Sequence, residues 1–378
     1  MVQWHKTRGA RTSIGLDVGS TGVRAVQLVC VGERFETLNA FRNERARTDL
    51  DSVDVSLARR IERIRACVPV SSFRGRKAVA SLDAPDVEFH ALDMPRAVLT
   101  QETQDGGSAI QWEVARLMNA SADSVEVRHW PLPAASTGAS NAIGVGAQRE
   151  RILETVEACT RAGLYCSSVE TSATALTRLG SVIHRWPSET VWGVLDLGHR
   201  GSRLVLCVDE VPVLVRLVGS GGDSWTRSIT ESLHLSRKAA EIHKCEHGIA
   251  LAGRGLRQTE GSVPDSELAA ILLNIMRPEL NEITAEVKRS YEYILSCYAG
   301  RQAGDLVLVG GGAAMKNLPE YWSEALGITV RRVSDYLNSE HCRLQYASGR
   351  EGDGKDHLGS APLEAMATAF GLAIGSVA

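Results

Sequence analysis

Apolar positions along the chain follow two rhythms, and their alternation predicts the elements. Continuous apolar runs broken by a polar, glycine-containing turn occur at 14–18 and 23–31, and again at 194–197 and 204–208, which predicts two β-hairpins built alike. Val53, Leu57, Ile61, Ile64 and Val68 fall at helical spacing, so a helix is predicted from Val53 to Val68, with a strand from Lys77 to Leu82 after it. Further on, a strand from Ala142 to Ala147 leads into a helix from Arg149 to Ala162, carrying Ile152, Val156 and Cys159 on one face and stopped by Gly163. Ser168 to Leu179 reads as a strand end and a helix. After the second hairpin come a strand from Val211 to Val218 and a helix from Ser224 to Leu233. A long helical pattern runs from Ser266 to Tyr298, with a kink expected at Pro278 because proline removes a hydrogen bond. Asp305 to Val309 is a strand, Pro319 to Leu326 a helix punctuated by proline at its start and Gly327 past its end, and Leu363 to Ile374 a last apolar helix. Residues 251–265 and 348–360 read as mobile loops.

The same order of elements occurs twice, so two α/β domains are expected, at 1–187 and 188–378. A chain of 378 residues is too long for one ordinary core. Residues from about 84 to 147 differ in composition: a charged strand, a polar glycine stretch from Gln104 to Ser108, a helix around Ile110 to Met118, and a Ser/Ala/Gly loop at 134–140. They are read as a small subdomain inserted into the first domain. The last helix, about 363–376, is expected to pack back towards the first domain.

Composition narrows the function classes. Apolar residues make up 44% and glycines number 35, which suits a packed α/β protein. Basic and acidic residues nearly cancel, 42 against 45 for a net charge of −3, so nothing supports nucleic-acid binding. The eight cysteines are scattered without a C-x-x-C pair and read as reduced thiols. The N-terminal stretch is basic but has no apolar signal core, and no run of about 18 uncharged apolar residues occurs, so membrane association is expected only through partners. His243, Cys245 and His247 suggest a metal cluster, yet only the two histidines share a helix face. The preferred reading there is a helix C-terminus closed by Gly248.

The candidate chemistry lies in four glycine-bearing segments. Asp17-Val18-Gly19-Ser20-Thr21-Gly22 and Asp196-Leu197-Gly198-His199-Arg200-Gly201-Ser202 each end an apolar run with Asp-x-Gly. Such turns direct backbone N–H groups outward, where they can cradle phosphate, and each aspartate can hold magnesium, directly or through water. Taken singly, either is also an ordinary hairpin turn. Gly221-Gly222 after the next strand and Gly310-Gly311-Gly312-Ala313 after the last complete the set.

This order of motifs resembles the actin-like ATPase superfamily, whose fold is two duplicated ribonuclease-H-like domains. The resemblance implies ATP and Mg2+ as cofactors. Asp17, Gly19, Ser20, Thr21, Gly22 and Arg24 would bind phosphate from one side, and Asp196, Gly198, Gly201 and Ser202 from the other. Asp17 and Asp196 would hold the metal through water, and Gly221 and Gly222 would meet ribose and phosphate. Glu241 and Lys244 would stand against adenine and ribose, and Gly310, Gly311, Gly312 and Ala313 against the nucleoside. Glu170, before Thr171 where the superfamily has proline, matches a glutamate that orients water in chaperone ATPases. It is equally readable as an electrostatically favoured residue at a helix N-terminus.

Within the superfamily the segments 14–28, 158–179, 218–244, 277–295 and 308–328 resemble the PilM family of type IV pilus assembly proteins. That resemblance implies an ATP-binding scaffold which receives the short cytoplasmic tail of a PilN-like inner-membrane protein, among other pilus or secretion assembly proteins, with homo-oligomers an open option. His90 to Pro95 and Trp112 are candidates for a peptide groove, although Trp112 reads equally well as core. A DnaK-type chaperone would need a substrate domain after the ATPase, which is not expected here. Residues 365–378 contain no lysine or arginine, unlike the basic membrane helix of FtsA, and no sugar pocket is evident. Three readings stay open: a scaffold, with an intact or a vestigial site; an ATPase or phosphotransferase using Glu170; and a filament-forming protein.

Overall fold

The computed structural model describes residues 9–44, 57–68, 72–95, 98–99, 104–137, 140–251, 265–345 and 363–376. Strands β1 (Ile14–Val18), β2 (Gly22–Val31) and β3 (Arg34–Glu44) form an antiparallel meander. To it β4 (Lys77–Ser81) adds in parallel beside β1, and β8 (Tyr165–Glu170) beside β4. The second sheet repeats this plan. β9 (Thr190–Leu197), β10 (Ser202–Val208) and β11 (Val211–Val218) are the meander, and β12 (Gln302–Val309) and β13 (Val330–Arg332) add in parallel on the β9 side. Every residue of β10 is buried, which is why it reads as an unbroken apolar run and not as an alternation. A third, antiparallel sheet of β5 (Val87–Leu92), β7 (Ala142–Gln148) and β6 (Val125–Pro131) forms from the segment read as an insertion. Trp130 on β6 ties it to the second sheet by donating Nε1–H to the Pro212 carbonyl at 2.9 Å. The duplicated α/β plan expected from the sequence is the one observed.

Two long-range additions bind the halves together. β14 (Leu344–Gln345), late in the chain, joins the first sheet beside β3. The helix Leu363–Gly375 is apolar all round and buried along almost its whole length, lying on β1 and against the helix Ser172–Ile183. Its approach is set by glycine: a Cβ on Gly15 would run into the Ala369 carbonyl, and one on Gly371 into that of Ala175. Trp186, just past the helix Ser172–Ile183, stacks on Trp192 of β9 with ring centroids 4.7 Å apart and extends this contact.

The elements depart from expectation where packing overrides local signals. The glycine stretch at 104–108 is the start of the helix Gln104–Leu117. Its Val114 sits over Gly144, and Met118, just past its end, over Gly146, where a Cβ on β7 would clash. That tertiary contact outweighs the poor helix propensity of two glycines. The helix Gly222–Leu233 begins two residues before the predicted Ser224. The long helix expected from Ser266 is present as Asp265–Cys297, with Pro278 inside it. The first helix is described as Leu57–Cys67, and Val53 lies outside the described residues, as do 252–264 and 346–362. All eight cysteines are free thiols. Among the described residues no helix is long and apolar enough to cross a membrane.

Candidate functional site

β1 and β9 both end at the cleft between the two large sheets, each with its aspartate at the mouth and an arginine directly across the next strand. The register pairs Asp17 with Arg24 and Asp196 with Arg203. Arg24 donates from Nη1 to Asp17 Oδ2 at 3.0 Å and from Nη2 to Thr21 Oγ1 at 2.8 Å. The other oxygen of Asp17 accepts from Ser81 Oγ at 3.1 Å. The turn is closed by Gly19 N–H on the Gly22 carbonyl at 2.9 Å.

Arg203 does more than its counterpart, because it reaches across the cleft. Its guanidinium lies 3.7 Å from Asp196 on its own sheet and 3.3 Å from Asp83, which follows β4 of the first sheet. It also donates to the Ser172 hydroxyl. Asp83 in turn accepts from the backbone N–H and hydroxyl of Ser172 at 3.0 and 2.9 Å, at the start of the helix Ser172–Ile183.

The remaining glycine segments close the second side. A Cβ on Gly221 would stand 2.6 Å from Gly201 N and 2.8 Å from Gly198 O, so these turns nest backbone against backbone. Gly222 N–H bonds the Gly198 carbonyl at 3.0 Å, and Ser202 Oγ the Ser220 carbonyl at 2.8 Å. Lys244, on the helix Arg237–His247, is buried and spends its ammonium on Gly222 O, Thr226 Oγ1 and Glu241 Oε2, at 2.9, 2.7 and 2.7 Å. Gly310 turns the chain with φ +85° and donates its N–H to the Glu364 carbonyl at 2.8 Å, so the last helix meets the cleft at its first turn. Beside Gly311 there is nothing within 4 Å.

Together these elements enclose a cavity of about 1580 Å³. Of the sequence candidates, Asp17, Gly19, Ser20, Thr21, Arg24, Asp196, Gly198, Gly201, Ser202, Gly222, Glu241, Lys244, Gly310, Gly311 and Gly312 line it. Gly22, Gly221 and Ala313 stand behind the wall. Glu170 is also outside the lining: Arg178 holds its carboxylate at 3.0 Å and donates to the Gly371 carbonyl at 2.8 Å. Thr171, where proline was expected, caps the following helix through its side chain. His243 and His247 stack with centroids 5.5 Å apart, and among the described residues no three metal-ligating groups converge there or elsewhere.

The cleft is basic in an acidic chain. Ten arginine and lysine side chains line it against six acidic ones, whereas the whole molecule carries −3. Burial, with the nearby charges of Asp17 and Asp83, lifts the Asp196 carboxyl to about 6 although Arg203 opposes the shift. Burial raises Asp83 as well, again against Arg203. His199 is driven down to about 4 by burial and then by Arg237 and Lys244. Arg203, Asp83, Ser81 and Ser172 were not among the sequence candidates. Arg203 was nevertheless readable, since in both hairpins an arginine stands at the same interval after the aspartate; the other three come from distant segments.

A second, smaller cavity of about 770 Å³ lies on the inserted subdomain. Leu92, Asp93 and Met94 at the end of β5 form one wall, and Trp112, Arg116 and Leu117 the other. Trp112 is 67% exposed and so is not a core residue.

Comparison with known proteins accords with this geometry. The fold superposes on a structure described as the PilM-PilN type IV pilus biogenesis complex with a TM-score of 0.71 at 20% identity, covering 97% of this chain and 99% of that one. The ethanolamine utilization protein EutJ from Carboxydothermus hydrogenoformans aligns with a TM-score of 0.52 at 12% identity, over 99% and 92% of the two chains. In sequence, the cell division protein FtsA of Streptococcus pneumoniae serotype 2 (strain D39 / NCTC 7466) is 27% identical over 176 residues, 45% of this chain. The match spans 38% of that relative's length. The family of the type IV pilus assembly protein PilM matches residues 15–375. The chain, from its first Asp-x-Gly strand to its last buried helix, belongs to the PilM family of type IV pilus assembly proteins.

Proposed function

We propose that this chain is an ATP-binding cytoplasmic scaffold of a type IV pilus or type II secretion-like assembly complex, held at the inner membrane through its partners. The observation that carries the nucleotide reading is the convergence of four separate glycine segments on one basic cleft between two domains. A ligand spanning that cleft touches both sheets, so its binding biases their relative angle. Glu170, engaged by Arg178, favours binding over turnover, because a general base needs a carboxylate that reaches the ligand. The site residues are the sequence candidates that line the cavity, together with Arg203 and Asp83, which line it too.

The partner reading rests on the second cavity. Among the described residues β5 is an edge strand of its sheet, paired with β7 alone, and beside its end lie an apolar wall and an exposed tryptophan. That combination suits a short extended peptide, which adds to the edge and anchors a side chain in the groove. The PilM-PilN complex is the relative that suggests its identity: the N-terminal cytoplasmic tail of a PilN-like membrane protein.

Two measurements test these readings. ATP should raise the thermal midpoint of the purified chain, and no change at millimolar ATP would remove the nucleotide from the proposal. A labelled tail peptide should bind the wild type and lose at least about tenfold in affinity with Trp112→Ala. Equal binding to both would move the groove elsewhere.

A further inference from the structure

Magnesium accompanies ATP in the expectation drawn from the superfamily, and the donor set can be tested for it. Both oxygens of Asp17 already accept hydrogen bonds from the protein, one from Ser81 and one from Arg24. Asp196 and Asp83 share the guanidinium of Arg203. A hydrated magnesium ion needs a carboxylate turned towards its water shell, and a fixed cation beside that carboxylate opposes it. Here both oxygens of Asp17 are engaged, and Asp83 and Asp196 face a fixed guanidinium at 3.3 and 3.7 Å, a poor donor set for the ion.

The two arginines, by contrast, are set for an anion. Each is 9% exposed, and among the described residues the Nε of each has no hydrogen-bond acceptor. Buried donors are rarely left unmatched, and both of these arginines also line the cleft. A guanidinium fork fits a phosphate group through paired N–H donors in a way that a lysine ammonium does not. One fork comes from each domain, at the same register position of each hairpin.

We infer that the cleft takes its nucleotide as the metal-free polyphosphate, with Arg24 and Arg203 in the charge-neutralising place that a divalent cation would hold. The inference rests on the nucleotide reading above and specifies the species bound. The electrostatic reason is that the surplus of cations in the lining already offsets the triphosphate charge, and a further dication would add to that surplus.

Calorimetric titration of the full chain with ATP, once in EDTA and once in magnesium chloride, tests it. The dissociation constants are expected to agree within about tenfold. ATP binding that requires magnesium, or is tightened by it more than about tenfold, overturns the inference and leaves nucleotide binding standing. Binding in neither condition overturns both. Arg24→Ala is expected to weaken metal-free binding by at least about tenfold and, by releasing Asp17, to make the remainder respond to magnesium. Arg24→Lys keeps a cation beside Asp17 and guards against misfolding; it should lose severalfold for want of the fork. Metal-free affinity unchanged in both variants overturns the assignment.

Discussion

Arg203, on β10 of the second sheet, stands 3.3 Å from Asp83, which follows β4 of the first, and this contact crosses the floor of the cleft. It is the point where the charge of a ligand and the relation of the two domains meet. In the proposed nucleotide complex, a phosphate that engages Arg203 would compete with Asp83 for the same guanidinium, coupling occupancy to the contact between the two sheets.

Removing that side chain should be costly. Arg203→Ala leaves Asp83 and Asp196 buried without their counter-charge, and a loss of about 3 kcal/mol is expected, read as a lower urea midpoint with unchanged slope. Adding Asp83→Asn to Arg203→Ala should recover part of it, because the uncompensated charge is then gone. Additive losses in the double variant would mean that the pair is not coupled.

Asp196 should destabilise the ligand-free protein at alkaline pH. Its folded pKa, about 6, lies above the ordinary value of 3.8, so its contribution is most favourable below pH 4 and is lost as pH rises through 6. Asp196→Asn should therefore raise the thermal midpoint at pH 8, by up to about 3 kcal/mol in stability, with the gain vanishing near pH 4. A gain independent of pH would point to packing and not to charge.

His199 acts on the acid side with the opposite sign. Its pKa falls from 6.5 to about 4 on folding, so stability is full above pH 6.5 and declines as pH drops towards 4. His199→Gln should flatten that decline. ATP should move the titration of the His199 ring upward, an effect visible by NMR, because phosphate charge offsets Arg237 and Lys244.

Two glycines separate ligand space from protein space. Gly311 faces open cavity at an ordinary φ, so Gly311→Trp should keep the thermal midpoint of the ligand-free chain and abolish its rise with ATP. Gly371 lies against the Ala175 carbonyl, so Gly371→Val should lower stability by about 3 kcal/mol or more, with or without ATP. The reverse pattern would contradict the placement of the last helix.

Much of this was legible in the chain. The hairpins, the parallel strands after them and the last helix follow from apolar runs and glycine punctuation, because a strand buried on both faces and a helix buried all round leave continuous apolar signatures. The glycine stretch at 104–108 misled, since what makes it helical is Val114 and Met118 seated on β7, a contact the local sequence does not carry. Trp112 was ambiguous for the same reason: helical spacing says that a face exists, not what covers it.

The sequence by itself determined the duplicated α/β plan, the order of the glycine segments and the identity of the residues at each turn, because these depend on local backbone freedom and side-chain period. Only the tertiary structure decided who neutralises whom. Asp17 is held by Arg24 and Ser81, Asp83 and Asp196 by Arg203, and Glu170 by Arg178 away from the cavity. Those pairings join residues from separate strands and from both domains, and the energy of a charge is set by what surrounds it in space, which is fixed only when the sheets come together.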